Sequence, residues 1–137
     1  ASAEAERKQA ELGETSQAEP VAVAARMVGQ GDSRAIEVRM RIHPGFHVYR
    51  QVGASDPYIP LTVEASLPEG CTAGELIAPA PQQSGSAGTT VYENEVTLTL
   101  PVKGNGTGTA TCTVGWQSCD DHVCTPPQTR EFTLRIE

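Results

Sequence analysis

Strict alternation of apolar and polar side chains constrains the fold of this chain more than any other sequence feature. It is clearest in residues 34–42, where every second position is apolar: Ile36, Val38, Met40 and Ile42. The same period of two returns in residues 96–102, 110–116 and 132–136. Because successive side chains of a β-strand point to opposite faces, each of these segments predicts a strand with one buried face.

Short strands separated by regularly spaced turns account for the body of the chain. Seven or eight strands fit between residues 20 and 137, and no segment there has convincing helical periodicity. This pattern is typical of an all-β fold, and we expect an immunoglobulin-like antiparallel β-sandwich, with a small barrel as the alternative. The sequence Gly104-Asn105-Gly106 predicts a β-hairpin between the strands on either side of it.

The N-terminal residues differ in composition from this body. Residues 1–19 are rich in Ala, Glu and Gln and lack an apolar pattern, so we interpret them as a flexible, partly helical leader before one domain at 20–137. The net charge of −7 argues against nucleic acid or an anionic membrane surface as a partner. No apolar run reaches the roughly 18 residues of a membrane span, so we expect no membrane contact by this domain itself.

Two cysteines lie close together in a polar, turn-rich segment of the last third of the sequence. Cys119 and Cys124 are separated by Asp-Asp-His-Val and followed by Thr-Pro-Pro. A disulfide across so short a loop would contribute only about 2 kcal/mol through chain entropy, which is little for a bridge placed for stability. An accessible bridge that opens would suit thiol–disulfide exchange, because exchange needs a reachable sulfur and one good thiolate.

Three interpretations of this pair remain open from the residues alone. It is redox-active, or it is a static bridge in a non-catalytic binding module, or it belongs to a metal site. In a metal site, Cys119, His122 and Cys124 would supply three ligands, with a fourth from His47 or His43, although the spacing matches no familiar zinc pattern.

Two further cysteines, Cys71 and Cys112, lie outside this segment. A bridge between them would close a long loop and contribute about 4 kcal/mol in the chain-entropy account. The alternative is two unpaired thiols that act as small apolar side chains. Four cysteines in a chain of this size favour an oxidising compartment.

The cysteine segment resembles the active-site segment of a known family, the N-terminal periplasmic domains of DsbD, the transmembrane thiol:disulfide interchange protein. The resemblance rests on Trp-Gln-Ser-Cys at 116–119 and Cys-Thr-Pro-Pro-Gln-Thr at 124–129, on either side of a short acidic loop. Residues 44–50, Pro-Gly-Phe-His-Val-Tyr-Arg, and the strand at 91–102 are similar to two further segments of the family, in the same order.

The resemblance implies a function. It implies an immunoglobulin-like domain whose Cys119–Cys124 pair is redox-active without a cofactor. Such a domain accepts electrons from a thioredoxin-like domain and passes them to partners such as periplasmic disulfide isomerases. By position, Cys124 would form the mixed disulfide with a partner, and Cys119 would resolve it.

The resemblance also implies a site wall and a location. Tyr49 and His47 correspond to residues that line the active site, and we add Trp116 and His122 as wall candidates because they flank or separate the cysteines. Residues 82–90 fall where the family has a cap loop. The implied location is the periplasm or another extracytoplasmic space, as a domain of an inner-membrane protein-disulfide reductase.

Overall fold

The computed structural model describes residues 3–54, 57–83 and 88–137 of the 137-residue chain. These ranges contain the helix α1 (Ala3–Gln9), a 3-10 turn at Gly31–Ser33, and antiparallel strands. The strands, in chain order, are β1 (Val21–Val28), β2 (Ala35–Ile42), β3 (His47–Gln51), β4 (Thr62–Ser66), β5 (Cys71–Ala73), β6 (Gln82–Gln83), β7 (Thr90–Tyr92), β8 (Glu95–Gly104), β9 (Gly108–Trp116), β10 (Ser118–Cys119) and β11 (Gln128–Ile136). Within the described ranges, no helix has the length and apolar character that a membrane crossing requires.

Two antiparallel sheets, with strand orders β1-β2-β8-β5 and β11-β9-β4, enclose one hydrophobic core. The alternation in the sequence decides which side chains enter it, because the four alternating apolar residues of β2, at 36, 38, 40 and 42, are all buried. The inward faces of β8, β9 and β11 follow the same rule and supply most of the remaining core: Val96, Leu98, Leu100, Val102, Ala110, Cys112, Val114, Phe132, Leu134 and Ile136. The predicted all-β, immunoglobulin-like antiparallel sandwich is confirmed.

A smaller sheet has the strand order β10-β3-β7-β6. Its strands β3 and β10 follow β2 and β9 along the chain, and β7 directly precedes β8. One face of this small sheet points into the main core through Val48 and Tyr92. Because side chains alternate along a strand, the neighbouring residues Tyr49 and Val91 point to the other face. That outer face carries Cys119.

The turn at Gly104-Asn105-Gly106 is not the hairpin that the sequence predicts. β8 pairs with β2 and β5, whereas β9 pairs with β11 and β4, so the turn carries the chain from one sheet to the other. The buried Arg34 guanidinium donates hydrogen bonds to the carbonyl oxygens of Gly104 (2.6 Å) and Gly106 (2.8 Å). The hairpin prediction was wrong because turn residues specify a reversal of the chain, while this distant arginine helps to fix the crossing.

The segment interpreted as a leader contacts the outside of the sandwich. The side chain of Gln9 donates a hydrogen bond to the carbonyl of Thr133 (2.9 Å) and accepts one from its amide (2.7 Å). Arg39 of β2 donates to the carbonyl of Ala10 at 2.6 Å. These bonds join residues 9 and 10 to strands of both large sheets. The division of the chain after residue 19 stays a prediction.

Candidate functional site

Cys119 and Cys124 form a disulfide at the base of a four-residue loop. Cys119 ends β10 and pairs with Cys124 as an isolated antiparallel bridge, with Cα atoms 4.0 Å apart. On one side of the pair, the Thr125 amide donates to the Ser118 carbonyl at 2.8 Å, and a second backbone bond of 2.9 Å closes the loop on the other side. This is the pattern of a non-hydrogen-bonded antiparallel pair, in which facing side chains come closest. The backbone itself therefore brings the two sulfurs together.

The loop between the cysteines is held by its first aspartate. Asp120 Oδ1 accepts hydrogen bonds from the backbone amides of Val123 (2.6 Å) and His122 (2.8 Å). These two amides, with Val123 contributing most, lower the pKa of Asp120 because they stabilise its carboxylate. Asp121, His122 and Val123 are exposed, Val123 to 64%. The loop thus presents an acidic, a titratable and an apolar side chain beside the disulfide.

Polar side chains also hold the cysteine ladder, the antiparallel pairing of residues 118–120 with residues 123–125, and they lie on the face opposite the disulfide. Ser118 and Thr125 precede and follow the bridged cysteines, so their side chains point away from the disulfide. The Thr125 hydroxyl donates to the Ser118 carbonyl (3.1 Å) and lies 2.9 Å from the Ser118 hydroxyl, which belongs to a residue that is only 1% exposed. Gln117 donates to the Thr125 carbonyl at 3.1 Å and accepts from the Ile59 amide at 2.9 Å, which ties the ladder to the segment before β4.

The two cysteines differ sharply in exposure. Cys119 is 1% exposed, whereas Cys124 is exposed. The difference has a local cause, because Cys119 forms a small apolar cluster with Tyr49 and Val91, against which Tyr58 and Val52 also pack. A reagent in solution therefore reaches the Cys124 end of the disulfide more readily than the Cys119 end.

His47 and Tyr49 border the pair on the same face of the small sheet. His47 is the direct cross-strand partner of Cys119, and Tyr49 follows it by two residues. The His47 Nε2 atom lies 3.0 Å from the Tyr49 hydroxyl, and their rings meet edge to face. Tyr49 is 4% exposed and stacks on Tyr58 with ring centroids 4.4 Å apart. The structure thus places both wall candidates from strand β3 beside Cys119.

Trp116 and His122, the other two wall candidates, lie outside strand β3. Trp116 is buried in the main core between the two large sheets, not in the small cluster around Cys119. His122 lies at the exposed end of the cysteine loop. The roles of all four wall candidates and of the two cysteines stay predictions.

Comparison with known proteins agrees with this geometry. Residues 13–136 match the family described as thiol:disulfide interchange protein DsbD, N-terminal. The chain belongs to this family. No curated protein sequence matches it.

Solved structures that share the fold of this DsbD N-terminal domain include two from Neisseria meningitidis and one from Proteus mirabilis. The Neisseria DsbD N-terminal domain in the reduced form is 19% identical, with a TM-score of 0.53 over 82% of this chain and 90% of that chain. A complex between the Neisseria DsbD and PilB N-terminal domains gives 18% identity and a TM-score of 0.56 over 81% and 80%. The N-terminal periplasmic domain of Proteus ScsB gives 19% and 0.53, over 85% of this chain and 44% of that chain.

Family membership indicates the general kind of chemistry, which is thiol–disulfide exchange. DsbD N-terminal domains take part in thiol–disulfide exchange as part of a larger protein. The 119–124 disulfide supplies the group that such exchange requires. The cap loop expected at residues 82–90 is described only in part, because residues 84–87 lie outside the described residues.

The other two cysteines of this DsbD-family domain are unpaired in the structure. Cys112 is fully buried in the main core, and burial raises its pKa from 9.0 to about 11. Cys71 is half-buried and donates to the Gly106 carbonyl at 3.2 Å. The described residues contain no group of three His, Cys, Asp or Glu side chains placed to hold a metal ion.

Sequence reasoning missed several residues that shape the site. Ser118 and Thr125 had a usable signal, because residues adjacent to a bridged pair in a short β-loop must face the other side. Val91 and Tyr58 had none, because nothing in their local sequence indicates contact with Cys119. Only the pairing of β7 with β3 and the stacking of Tyr58 on Tyr49 bring them there.

Proposed function

We propose that this domain carries electrons by exchanging its Cys119–Cys124 disulfide with thioredoxin-like proteins. The observation that carries the proposal is the unequal exposure of the two cysteines, with Cys119 at 1% and Cys124 exposed at the edge of a loop. A bridge placed only for stability gains nothing from having one open end, whereas exchange requires an accessible sulfur. The short loop adds support, because its chain-entropy contribution is only about 2 kcal/mol.

The exchange proceeds through attack on Cys124. A partner thiolate attacks the Cys124 sulfur, a partner–Cys124 disulfide forms, and the Cys119–Cys124 bond breaks with its electron pair going to Cys119. The partner's second thiolate then attacks the partner's first sulfur, which is bonded to Cys124 in the mixed disulfide. This attack closes the partner's disulfide and releases the Cys124 thiolate. Two electrons have then moved from the partner's dithiol to this domain, and the reverse sequence passes them to an oxidised partner.

The family and two solved structures support a proposal for the partners and the location. A solved complex joins a Neisseria DsbD N-terminal domain to a PilB N-terminal domain, and the related ScsB domain is described as periplasmic. We propose a periplasmic domain of a membrane-embedded protein-disulfide reductase. It takes electrons from a thioredoxin-like donor domain of the same protein and gives them to partners such as disulfide isomerases.

Variants that keep only one cysteine of the 119–124 pair test which sulfur makes the mixed disulfide. The background is Cys71→Ser, because the half-buried Cys71 thiol would add adducts of its own. In this background Cys119→Ser should react with a thioredoxin whose single active-site cysteine carries 2-nitro-5-thiobenzoate. A Cys124-linked complex and released nitrothiobenzoate are expected.

The reciprocal variant, Cys124→Ser, is the matched control. Its remaining Cys119 thiol is buried, so it should give the complex far more slowly, which intact mass and peptide mapping will show. Complexes formed only through Cys119 would reverse the roles. A wild-type disulfide that stays closed in glutathione buffers down to potentials well below about −300 mV would instead identify a structural bridge in a binding module.

A further inference from the structure

Three side chains lie in a row on the outer face of the small sheet. Cys119 pairs across the strands with His47 on one side and with Cys124 on the other. Directly opposed residues of antiparallel strands point to the same face, with Cβ atoms about 4.5–5.5 Å apart. The side chain of His47 therefore lies on the same face as Cys119, directly across the strand from the residue whose sulfur receives the electron pair when a partner attacks Cys124.

That sulfur is in an unfavourable place for a negative charge. Cys119 is 1% exposed and packs among Tyr49, Val91, Tyr58 and Val52. Burial among apolar groups disfavours a thiolate, and a poor leaving thiolate slows exchange. A proton delivered to Cys119 as the bond breaks would remove this obstacle.

The structure also fixes the orientation of the His47 ring. Its Nε2 atom is 3.0 Å from the hydroxyl of Tyr49, and Tyr49 is held by its stacking on Tyr58. A tyrosine hydroxyl both donates and accepts, so this bond persists whether the imidazole is neutral or protonated. Because Nε2 makes this bond, Nδ1 is the ring nitrogen that would take part in a proton transfer.

We infer that His47 gives a proton to the Cys119 sulfur when the disulfide opens and takes it back when the disulfide reforms. This inference rests on the proposed exchange function. In the opening step, the partner–Cys124 bond forms, the Cys119–Cys124 bond breaks, and the electron pair on Cys119 accepts the imidazolium proton. In the closing step, neutral imidazole accepts the Cys119 proton as the sulfur attacks Cys124 and releases the partner. Histidine suits both steps because it ordinarily changes charge between about pH 5 and 8.

Other titratable groups lie on the elements next to His47 and in the cysteine loop. Strand β7 presents apolar Val91 on this face, and the segment before β4 presents the tyrosine that covers Tyr49. The cysteine loop adds one more imidazole and two carboxylates at its exposed end. Within residues 3–54, 57–83 and 88–137, the titratable residues on these elements are Tyr49, Tyr58, Cys119, Cys124, Asp120, Asp121 and His122. His122 is the other imidazole among them, so the experiment must separate the two histidines.

The chain has three histidines, which provide a matched set of variants. His47→Gln, His122→Gln and His43→Gln each remove one imidazole, and His43 serves as the remote control because it bonds to Thr15 instead. The rate of disulfide reduction by dithiothreitol is measured from pH 5.5 to 8.5 and divided by the dithiothreitol thiolate concentration. For wild type and His43→Gln this quotient should rise at least about tenfold toward acid pH, as general acid catalysis predicts.

In His47→Gln the quotient should stay flat across the pH range. Persistence of the acid enhancement in that variant, or its loss in His122→Gln, overturns the inference. If His47→Gln does not fold by circular dichroism, Tyr49→Phe replaces it. Loss of the hydroxyl should then move the midpoint of the pH profile, and an unmoved midpoint overturns the inference.

The outcomes separate this inference from the proposed function. A domain that neither dithiothreitol nor reduced thioredoxin reduces at any pH contradicts the exchange function itself. A domain that is reduced with the same pH profile in wild type and His47→Gln keeps its exchange function and loses only the assigned role of His47.

Discussion

Replacing Thr125 with valine should weaken the ladder that holds Cys119 against Cys124. The Thr125 hydroxyl lies 2.9 Å from the Ser118 hydroxyl and donates to the Ser118 carbonyl at 3.1 Å. The carbonyl keeps a second donor, the Thr125 amide at 2.8 Å. The Ser118 hydroxyl, on a residue that is 1% exposed, would lose its partner without gaining water.

The size of the effect follows from that orphaned hydroxyl. A buried hydroxyl left without a partner costs about 1–3 kcal/mol of the free energy of unfolding. Ser118→Ala alone leaves the Thr125 hydroxyl its carbonyl acceptor and should cost about 0.5–1.5 kcal/mol. The double variant has no orphaned hydroxyl, so it should lose about 1 kcal/mol less than the sum of the single losses.

The same substitution should make the reduction potential of the pair less negative. In the oxidised domain the disulfide holds the ladder closed, so the full cost of the orphaned hydroxyl is felt. In the reduced domain we expect the loop to open and to relieve part of that cost. With about 30 mV for each 1.4 kcal/mol, a cost of about 1–3 kcal/mol limits the shift to about 20–60 mV.

Urea unfolding of the oxidised variants, followed by the fluorescence of the single tryptophan, measures the loss of stability. Equilibration with glutathione buffers measures the potential. Thr97→Val is the matched control, because Thr97 is exposed on β8 and the same change there should stay within about 0.5 kcal/mol. Strict additivity of the two single variants, or a more negative potential for Thr125→Val, would refute this account of the ladder.

Two further predictions concern pH. Burial raises the pKa of Cys112 from 9.0 to about 11, so between these pH values its thiol stays protonated in the folded domain and ionises in the unfolded chain. The free energy of unfolding, measured with urea, should therefore fall by about 2 kcal/mol between pH 9 and 11. Cys112→Ala should lack this fall. The lowered pKa of Asp120 means that its hold on the loop is complete above its ordinary value of 3.8 and is lost at lower pH. The amide resonances of His122 and Val123 should therefore titrate together below pH 3.8 in wild type and should not do so in Asp120→Ala.

The main core follows from the sequence because each long strand buries one face. The apolar residues of β2 at 36, 38, 40 and 42 had no other way to avoid water, and all are buried. Pairing is a different matter. The turn between β8 and β9 has hairpin residues, yet the strands belong to different sheets, and Arg34 contacts Gly104 and Gly106 from a distant part of the chain. The residues of a turn do not indicate a hydrogen bond from a side chain so far away in the sequence.

The small sheet is harder to predict because both of its faces are covered near the cysteines. Val48 and Tyr92 enter the main core, while Tyr49 and Val91, their direct neighbours, enter the cluster around Cys119. Alternation cannot show which of two apolar neighbours faces the site. The resemblance supplied Tyr49 and His47, but the burial of Cys119 depends on register between strands that are far apart in the chain.

Unequal access, more than thiol acidity, is the property of this pair that would direct exchange. Asp120 and Asp121 stand next to the disulfide and disfavour a thiolate there, so the attacking thiolate must come from the partner. Attack at Cys119 would require displacing Tyr49 and the residues packed with it, whereas Cys124 is open. Attack at Cys124, as proposed, would make Cys119 the leaving sulfur, in apolar surroundings that disfavour its negative charge. In the proposed exchange, the shielding that would select the point of attack would therefore also create a need for a proton at Cys119, and a pair with both sulfurs in water would not need the histidine across the strand.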